Sequence, residues 1–380
     1  YSSGSADFSN YVAVGNSLTA GYADNALYLE GQLNSFPSML ANKFSLAGGG
    51  DFNQPLVSDN LGGLLVNGQQ IQGNRLVLEV TAGSQSPVPI EGTPTTDIAN
   101  HLEGSFNNMG IPGAKSFHLT ANTYGNIGNL PAANPYFIRI ASSNQATVIG
   151  DAVAQDPTFF TLWIGNNDIL SFATSGGVGE DQTGNLDPFT YGSSDITDPN
   201  VFANLYNEFL KALTANGAKG AVANIPDVTS IPYFTTVPYN AIPLDESTAA
   251  MLNQAYEPYN NGLQQAALLG VITDEEATAR TINFKAGQNP VVLLDEDLTD
   301  LTFINQGLTN MRQATDKDLI PLPVSSVLGT LSDPENPNSV IGVSVPLNDS
   351  QLLTASEIEL VVTAQRAYNT TIKTLADQYG

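Results

Sequence analysis

Three short blocks bring together a hydroxyl, an unhindered backbone amide and a neutral side-chain donor. The first is Ser17, which follows the apolar run Tyr11-Val12-Ala13-Val14 and a Gly15-Asn16 turn. A serine at the carboxyl end of a parallel strand sits at the rim where open α/β sheets bind ligands. Gly15 lets the chain turn there without a Cβ clash. The second block is Asn108-Met109-Gly110-Ile111-Pro112-Gly113-Ala114, where Gly113 has no side chain to keep a carbonyl from its N–H. The third is Gly165-Asn166-Asn167-Asp168 after the apolar run Phe159–Ile164, and Asn167 offers an NH₂ donor without a charge. Acyl transfer uses such parts, together with a base. Each block also has a purely structural reading. Ser17 suits a helix N-cap, Gly113 an ordinary turn beside Pro112, and Asn167 an Asx turn.

Taken in order, the blocks resemble those of the GDSL (SGNH) hydrolases, with Asn16 where that family more often has Asp. A fainter likeness is Gly220-Ala221-Val222-Ala223-Asn224-Ile225-Pro226, which is similar to a strand-to-loop segment of the longer GDSL lipases. The resemblance spans roughly positions 10 to 235. It implies a three-layer α/β/α flavodoxin-like parallel sheet and a serine ester hydrolase working through an acyl-enzyme. It further implies Ser17 as nucleophile, with the amides of Ser17 and Gly113 and the Asn167 side chain as the oxyanion hole. No cofactor and no metal is expected. The substrate would be a small-molecule, lipid or carbohydrate ester.

The base breaks the pattern. The chain has two histidines, His101 and His118, whereas the family's Asp-x-x-His block lies near the C-terminus. The nearest look-alike, Asp333-Pro334-Glu335-Asn336-Pro337, has Asn where the histidine should be and reads as a turn. Three explanations compete. The sequence is a piece whose last strand, base-bearing loop and final helix lie beyond Gly380; or it is a pseudoenzyme; or His118, five residues past Gly113, has taken over. His101, in the polar stretch 100–108, is expected in solvent. The alternative to an esterase is a catalytically inactive binding or assembly subunit of a cell-surface complex, whose partner would be a surface protein or a separate C-terminal fragment.

The elements that must position these blocks follow from periodicity. Strands are expected at 11–14, 158–164 and 219–224, with a further strand at 75–80 followed by a loop to 98. Helices are expected near 36–46, 200–216 and 246–269, and from a Thr354–Glu357 capping box to about 378. Residues 174–198 read as a surface loop. The segment 281–350 reads as irregular, with strand-like runs at 291–294 and 340–345. Alternating strands and helices predict an α/β fold with a parallel sheet. The expected organisation is a tether over 1–10 and one domain over 11–380, with insertions at about 48–105 and 281–350. Trp163, Tyr233, Phe234 and Tyr239 either line a pocket or anchor the long loops to the sheet, the commoner outcome.

The 380 residues carry 12 Lys plus Arg against 37 Asp plus Glu, a net charge of −25. Such a field repels nucleic acid and anionic membrane surfaces. With no cysteine, disulfides and thiolate chemistry are excluded. The small polar start Tyr1-Ser2-Ser3-Gly4-Ser5 suggests a tether after a cleaved leader or lipid anchor, hence export to the periplasm, the cell surface or the medium.

Overall fold

Tyr11–Gly15 (β1) is buried along its whole length and forms the middle of a parallel sheet. A computed structural model describes residues 1–81 and 84–380. β1 pairs on one side with Asn108–Gly110 (β2) and on the other with Phe159–Trp163 (β3), and β3 pairs with Lys219–Val222 (β4). The strand order is therefore β2-β1-β3-β4, all parallel, in a mixed α/β chain. Strands buried on both faces need near-continuous apolar runs, and β1 and β3 have them. Val12, Val14, Phe160 and Leu162 enter the main core on one face. Tyr11, Ala13 and Phe159 pack on the other, against Phe44 and Ala41 of helix α1 (Phe36–Phe44).

Helix α2 (Asn167–Thr174) follows β3 after residues 164–166, with no side-chain cap. The longer helices begin where the sequence supplies caps. Helix α3 (Pro199–Thr214) has Pro at N1, and Asp198 Oδ1 accepts from the amides of Asn200 and Val201. Helix α4 (Glu246–Leu268) is capped by Asp245. Helix α5 (Ala355–Tyr379) opens on the expected box, with Thr354 Oγ1 accepting from the Glu357 amide and Glu357 accepting from the Thr354 amide. Tyr368 of α5 stacks on Phe202 of α3, with ring centroids 4.3 Å apart, inside the main core. Among the described residues, no helix is long and apolar enough to cross a membrane.

Several expectations need correction. Residues 174–198 are not simply a surface loop: Asp195, Ile196, Thr197 and Asp198 are buried, because Asp195 and Asp198 satisfy backbone amides of the loop itself. Positions 82–83, in the loop expected up to 98, lie outside the described residues, while Ser84–Pro89 forms a strand antiparallel to Leu76–Thr81. The run 340–345 makes isolated bridges rather than a strand, turned by Gly342. Residues 237 to 352, with α4 among them, close around a second apolar cluster including Tyr256, Leu263, Val292 and Leu347. Short strand Val292–Leu294 pairs with Met311–Gln313 there.

Where that cluster meets α5, carboxylate oxygens of Glu296, Asp349 and Glu357 lie within 4.8 Å of one another. No ion pair reaches any of the three among the described residues. Burial, opposed by the Thr354 hydrogen bonds and reinforced by Asp349 and Glu296, pushes Glu357 up to about 7. A carboxyl raised in the folded state favours folding fully below its ordinary pKa, and that contribution is lost as pH rises through about 7. Glu357→Gln keeps an acceptor for Thr354 without the charge. Its melting temperature should match the parent near pH 5 and exceed it increasingly toward pH 8. A constant difference between the two proteins across that range would refute the assignment.

Candidate active site

The three blocks leave three neighbouring strands at the same edge. Gly15 lies opposite Gly110 on one side and Trp163 on the other, so the turns after β1, β2 and β3 emerge together. A Cβ at Gly15 would stand 2.1 Å from Thr19 Oγ1 and 2.4 Å from the Trp163 carbonyl, so glycine is required. Asn16 is buried and does two jobs. Its Oδ1 accepts from the Leu18 amide at 3.3 Å, and its Nδ2 donates to Asn166 Oδ1 at 3.3 Å. The turn after β1 is thereby clamped to the turn after β3.

Ser17 is half-buried at the start of the single helical turn Ser17–Ala20. Among the described residues its Oγ has one hydrogen-bond partner, the Gly113 N–H at 3.4 Å. Among the described residues the Ser17 N–H has none, which leaves it free to donate. Gly113 is exposed, with φ +81°, a conformation that favours glycine. A Cβ there would meet only Asn134 Nδ2, at 3.9 Å, so the glycine faces open space. Asn134 holds this turn from behind by donating to the Pro112 carbonyl at 2.8 Å. Asn167 Nδ2 donates to the carbonyl of Ala114 at 2.9 Å, one residue past Gly113. An amide NH₂ has two hydrogens, and this bond uses one. Ser17, Gly113 and Asn167 are thus linked through two hydrogen bonds.

Sequence reading missed the supports of this cluster. Asp168 is fully buried and accepts from the Ser116 amide at 2.9 Å and from Ser116 Oγ at 2.6 Å. Burial raises its carboxyl, although the Ser116 hydrogen bonds oppose the shift. Lys115 is also buried, its Nζ donating to the Asp195 carbonyl at 2.8 Å. Burial lowers its ammonium, against the pull of Asp168 and Asp195. Such residues leave no local pattern, because their partners are distant in sequence.

His118 lies close to the cluster in the wrong chemical state for a base. Its Nδ1 accepts from the Lys115 amide at 3.0 Å, so in the neutral ring Nε2 carries the proton. Burial first, and Lys115 second, push the imidazole down to about 4. The ring stacks on Tyr124 at 4.5 Å. A neutral ring whose one lone pair is occupied cannot take the Ser17 proton. His101 is exposed, as expected. The Asp333–Pro337 segment is an exposed turn, closed by the Asn336 amide on the Asp333 carbonyl at 3.0 Å.

No match was found among family models, curated proteins or solved structures.

Beside Gly113 opens a cavity of about 610 Å³ lined by Lys115, Phe117, His118, Tyr124, Phe189 and Tyr191. Its volume falls in the range of small-molecule sites. The aromatics singled out from sequence do not line it. Phe234 is buried in the main core, Trp163 packs on Phe36, Tyr233 lies at the core's edge and Tyr239 packs on the second cluster. They anchor loops.

Proposed function

We propose that this chain carries the nucleophile and the oxyanion donors of a GDSL-type (SGNH) serine ester hydrolase with a flavodoxin-like three-layer arrangement. Its catalytic base is supplied by polypeptide outside residues 1–380. The observation that carries the reading is the Gly113 N–H on Ser17 Oγ at 3.4 Å, made between turns that leave adjacent parallel strands. Ser17 Oγ would attack the ester carbonyl and pass its proton to the base. Negative charge developing on the carbonyl oxygen would be met by the Ser17 and Gly113 amides and by the spare N–H of Asn167. The alkoxide would leave with the proton returned by the base, and water would then cleave the acyl-serine by the same steps. Esters suit this site better than amides, because an alkoxide needs less help from an acid to depart. The cavity beside Gly113 offers room for the acyl or alcohol group.

A second reading, a binding or assembly subunit that retains the fold without chemistry, is favoured by one observation. Among the described residues Ser17 Oγ has no hydrogen bond to any histidine or carboxylate. A fluorophosphonate tests the two. Peptide mass spectrometry should find the adduct on Ser17 of the natural polypeptide, and an unlabelled Ser17 there would favour the binding protein.

A further inference from the structure

One wall of the cavity beside Gly113 is a row of rings in contact. His118 stacks on Tyr124 with centroids 4.5 Å apart and planes 8° from parallel. Phe117 meets His118 at 4.4 Å, and Tyr191 meets Phe117 edge-on at 5.8 Å. The row is fixed to the turn that bears Gly113. Asn134 Nδ2 donates to the Tyr124 hydroxyl at 2.9 Å and to the Pro112 carbonyl at 2.8 Å. The place of the His118 ring is thereby set relative to the Gly113 amide.

The other polar atoms of the row are engaged. The Tyr124 hydroxyl accepts from Asn134, and the Tyr191 hydroxyl donates to the Asn185 carbonyl. Beside them Ser171 Oγ donates to the Asn167 carbonyl at 3.0 Å and Lys115 Nζ to the Asp195 carbonyl at 2.8 Å. His118 Nε2 is the exception. Because Nδ1 takes the Lys115 amide, Nε2 carries the hydrogen, and among the described residues it has no acceptor. The ring is half-buried, and Nε2 is not sealed in the interior. Burial first, and Lys115 second, hold the imidazole neutral down to about pH 4, so this N–H offers a hydrogen bond without a charge. The reaction proposed for Ser17 leaves it unused.

Phe189 lines the same cavity, 84% exposed, with no ring against it among the described residues. Aromatic side chains gain most from flat apolar partners, and a donor covered by an apolar group that lacks an acceptor weakens binding. A sugar would bring many hydroxyls to a ring row with a single free donor. We propose that the cavity takes an aromatic group bearing one oxygen acceptor, laid along the ring row and hydrogen-bonded by His118 Nε2–H, so that the preferred esters carry an aryl ketone or aryl ether in the arm beside Gly113. Calling this group an arm of the substrate rests on the esterase reading; its binding does not.

Acetophenone and α-methylstyrene are the probes, alike in ring and shape, with an acceptor only in the first. The chain has two histidines, so ring-nitrogen NMR of protein isotope-labelled on histidine resolves His118, with His118→Phe as the assignment control. Near neutral pH the proton should sit on Nε2. Acetophenone should move it downfield and α-methylstyrene should not. The preference for acetophenone, as a ratio of dissociation constants, should fall about fivefold in His118→Phe, which keeps a ring against Tyr124 without an N–H. His118→Gln, with an acceptor for the Lys115 amide and an N–H of its own, should recover it. In the natural polypeptide acetophenone should raise the KM for p-nitrophenyl acetate and leave kcat unchanged. A proton on Nδ1, no shift with acetophenone, or the same ratio in the parent and His118→Phe would each overturn the proposal, whatever the rate of ester hydrolysis. Binding without an effect on KM would overturn the placing of the group in the substrate's path. Binding as expected with no ester turnover by the natural polypeptide would uphold the aryl site and overturn the esterase reading alone.

Discussion

The 380-residue chain on its own should hydrolyse p-nitrophenyl acetate at least about 10²–10⁴-fold more slowly than the same chain with its base in place, since a positioned general base is worth that much. The deficit can be larger: removing the histidine of one well-studied protease triad costs about 10⁶-fold in kcat. The reason lies in the surroundings of Ser17 Oγ, which meets a backbone amide and, among the described residues, no proton acceptor of suitable basicity. His118 does not fill the role, because Nδ1 is occupied by the Lys115 amide and the ring is held neutral by burial. His118→Ala removes part of the cavity wall but no proton acceptor, and so should not abolish the residual rate. Steady-state ester hydrolysis by the purified chain decides this. Fast turnover that disappears in His118→Ala would show that the imidazole reorients and serves as base.

The largest stability effect is expected at Arg312, in the second cluster. Its Nε donates to Asp295 Oδ2 at 2.6 Å, while Nη1 and Nη2 grip the two oxygens of Asp318 at 2.7 and 2.9 Å. The three side chains are 11%, 9% and 1% exposed. Asp318 also accepts from the Thr315 amide and from the amide of Ala355, the first residue of α5. The guanidinium thus holds the second cluster to the helix that packs on the main core. Arg312→Leu leaves two carboxylates buried without a counter-ion, and breaking such a pair costs about 3–5 kcal/mol. Arg312→Lys keeps the charge but loses the two-pronged grip, so it should fall between.

The pH dependence of that loss follows from Asp318. Burial alone would raise its carboxyl, but Arg312 and the Thr315 amide outweigh burial and hold it below the ordinary carboxylate range. A depressed carboxyl stabilises the fold above its ordinary pKa and ceases to do so as pH falls through the lower folded value. The deficit of Arg312→Leu should thus be largest near neutrality and shrink as pH falls, because without Arg312 burial favours the protonated Asp318. Urea unfolding across pH measures it, and a deficit that grows on acidification would contradict this account.

What the sequence revealed was local. The apolar run before Ser17 and the run Phe159–Leu162 specify buried strands by composition alone, and Thr354-x-x-Glu357 specifies a helix start by a reciprocal pair of hydrogen bonds. Glycine at 15 and 113 marked turns whose conformations tolerate little else. What stayed hidden was distant pairing. Nothing near Asp168 in the chain announces that Ser116 will satisfy it, nor does anything near Lys115 announce Asp195. The burial of 195–198 was missed because aspartates read as solvent-facing until their backbone partners are known. The second cluster was missed because its strands are three residues long and pair across intervals that carry no periodic signal.

The proposed role of Ser17 as nucleophile is tested most directly by the rate of p-nitrophenyl acetate hydrolysis by Ser17→Ala in the natural polypeptide. Turnover should disappear in that variant. Turnover at the parent rate would contradict that role, and would leave the Ser17 hydroxyl as an acceptor that ties the Gly113 turn to the turn after β1.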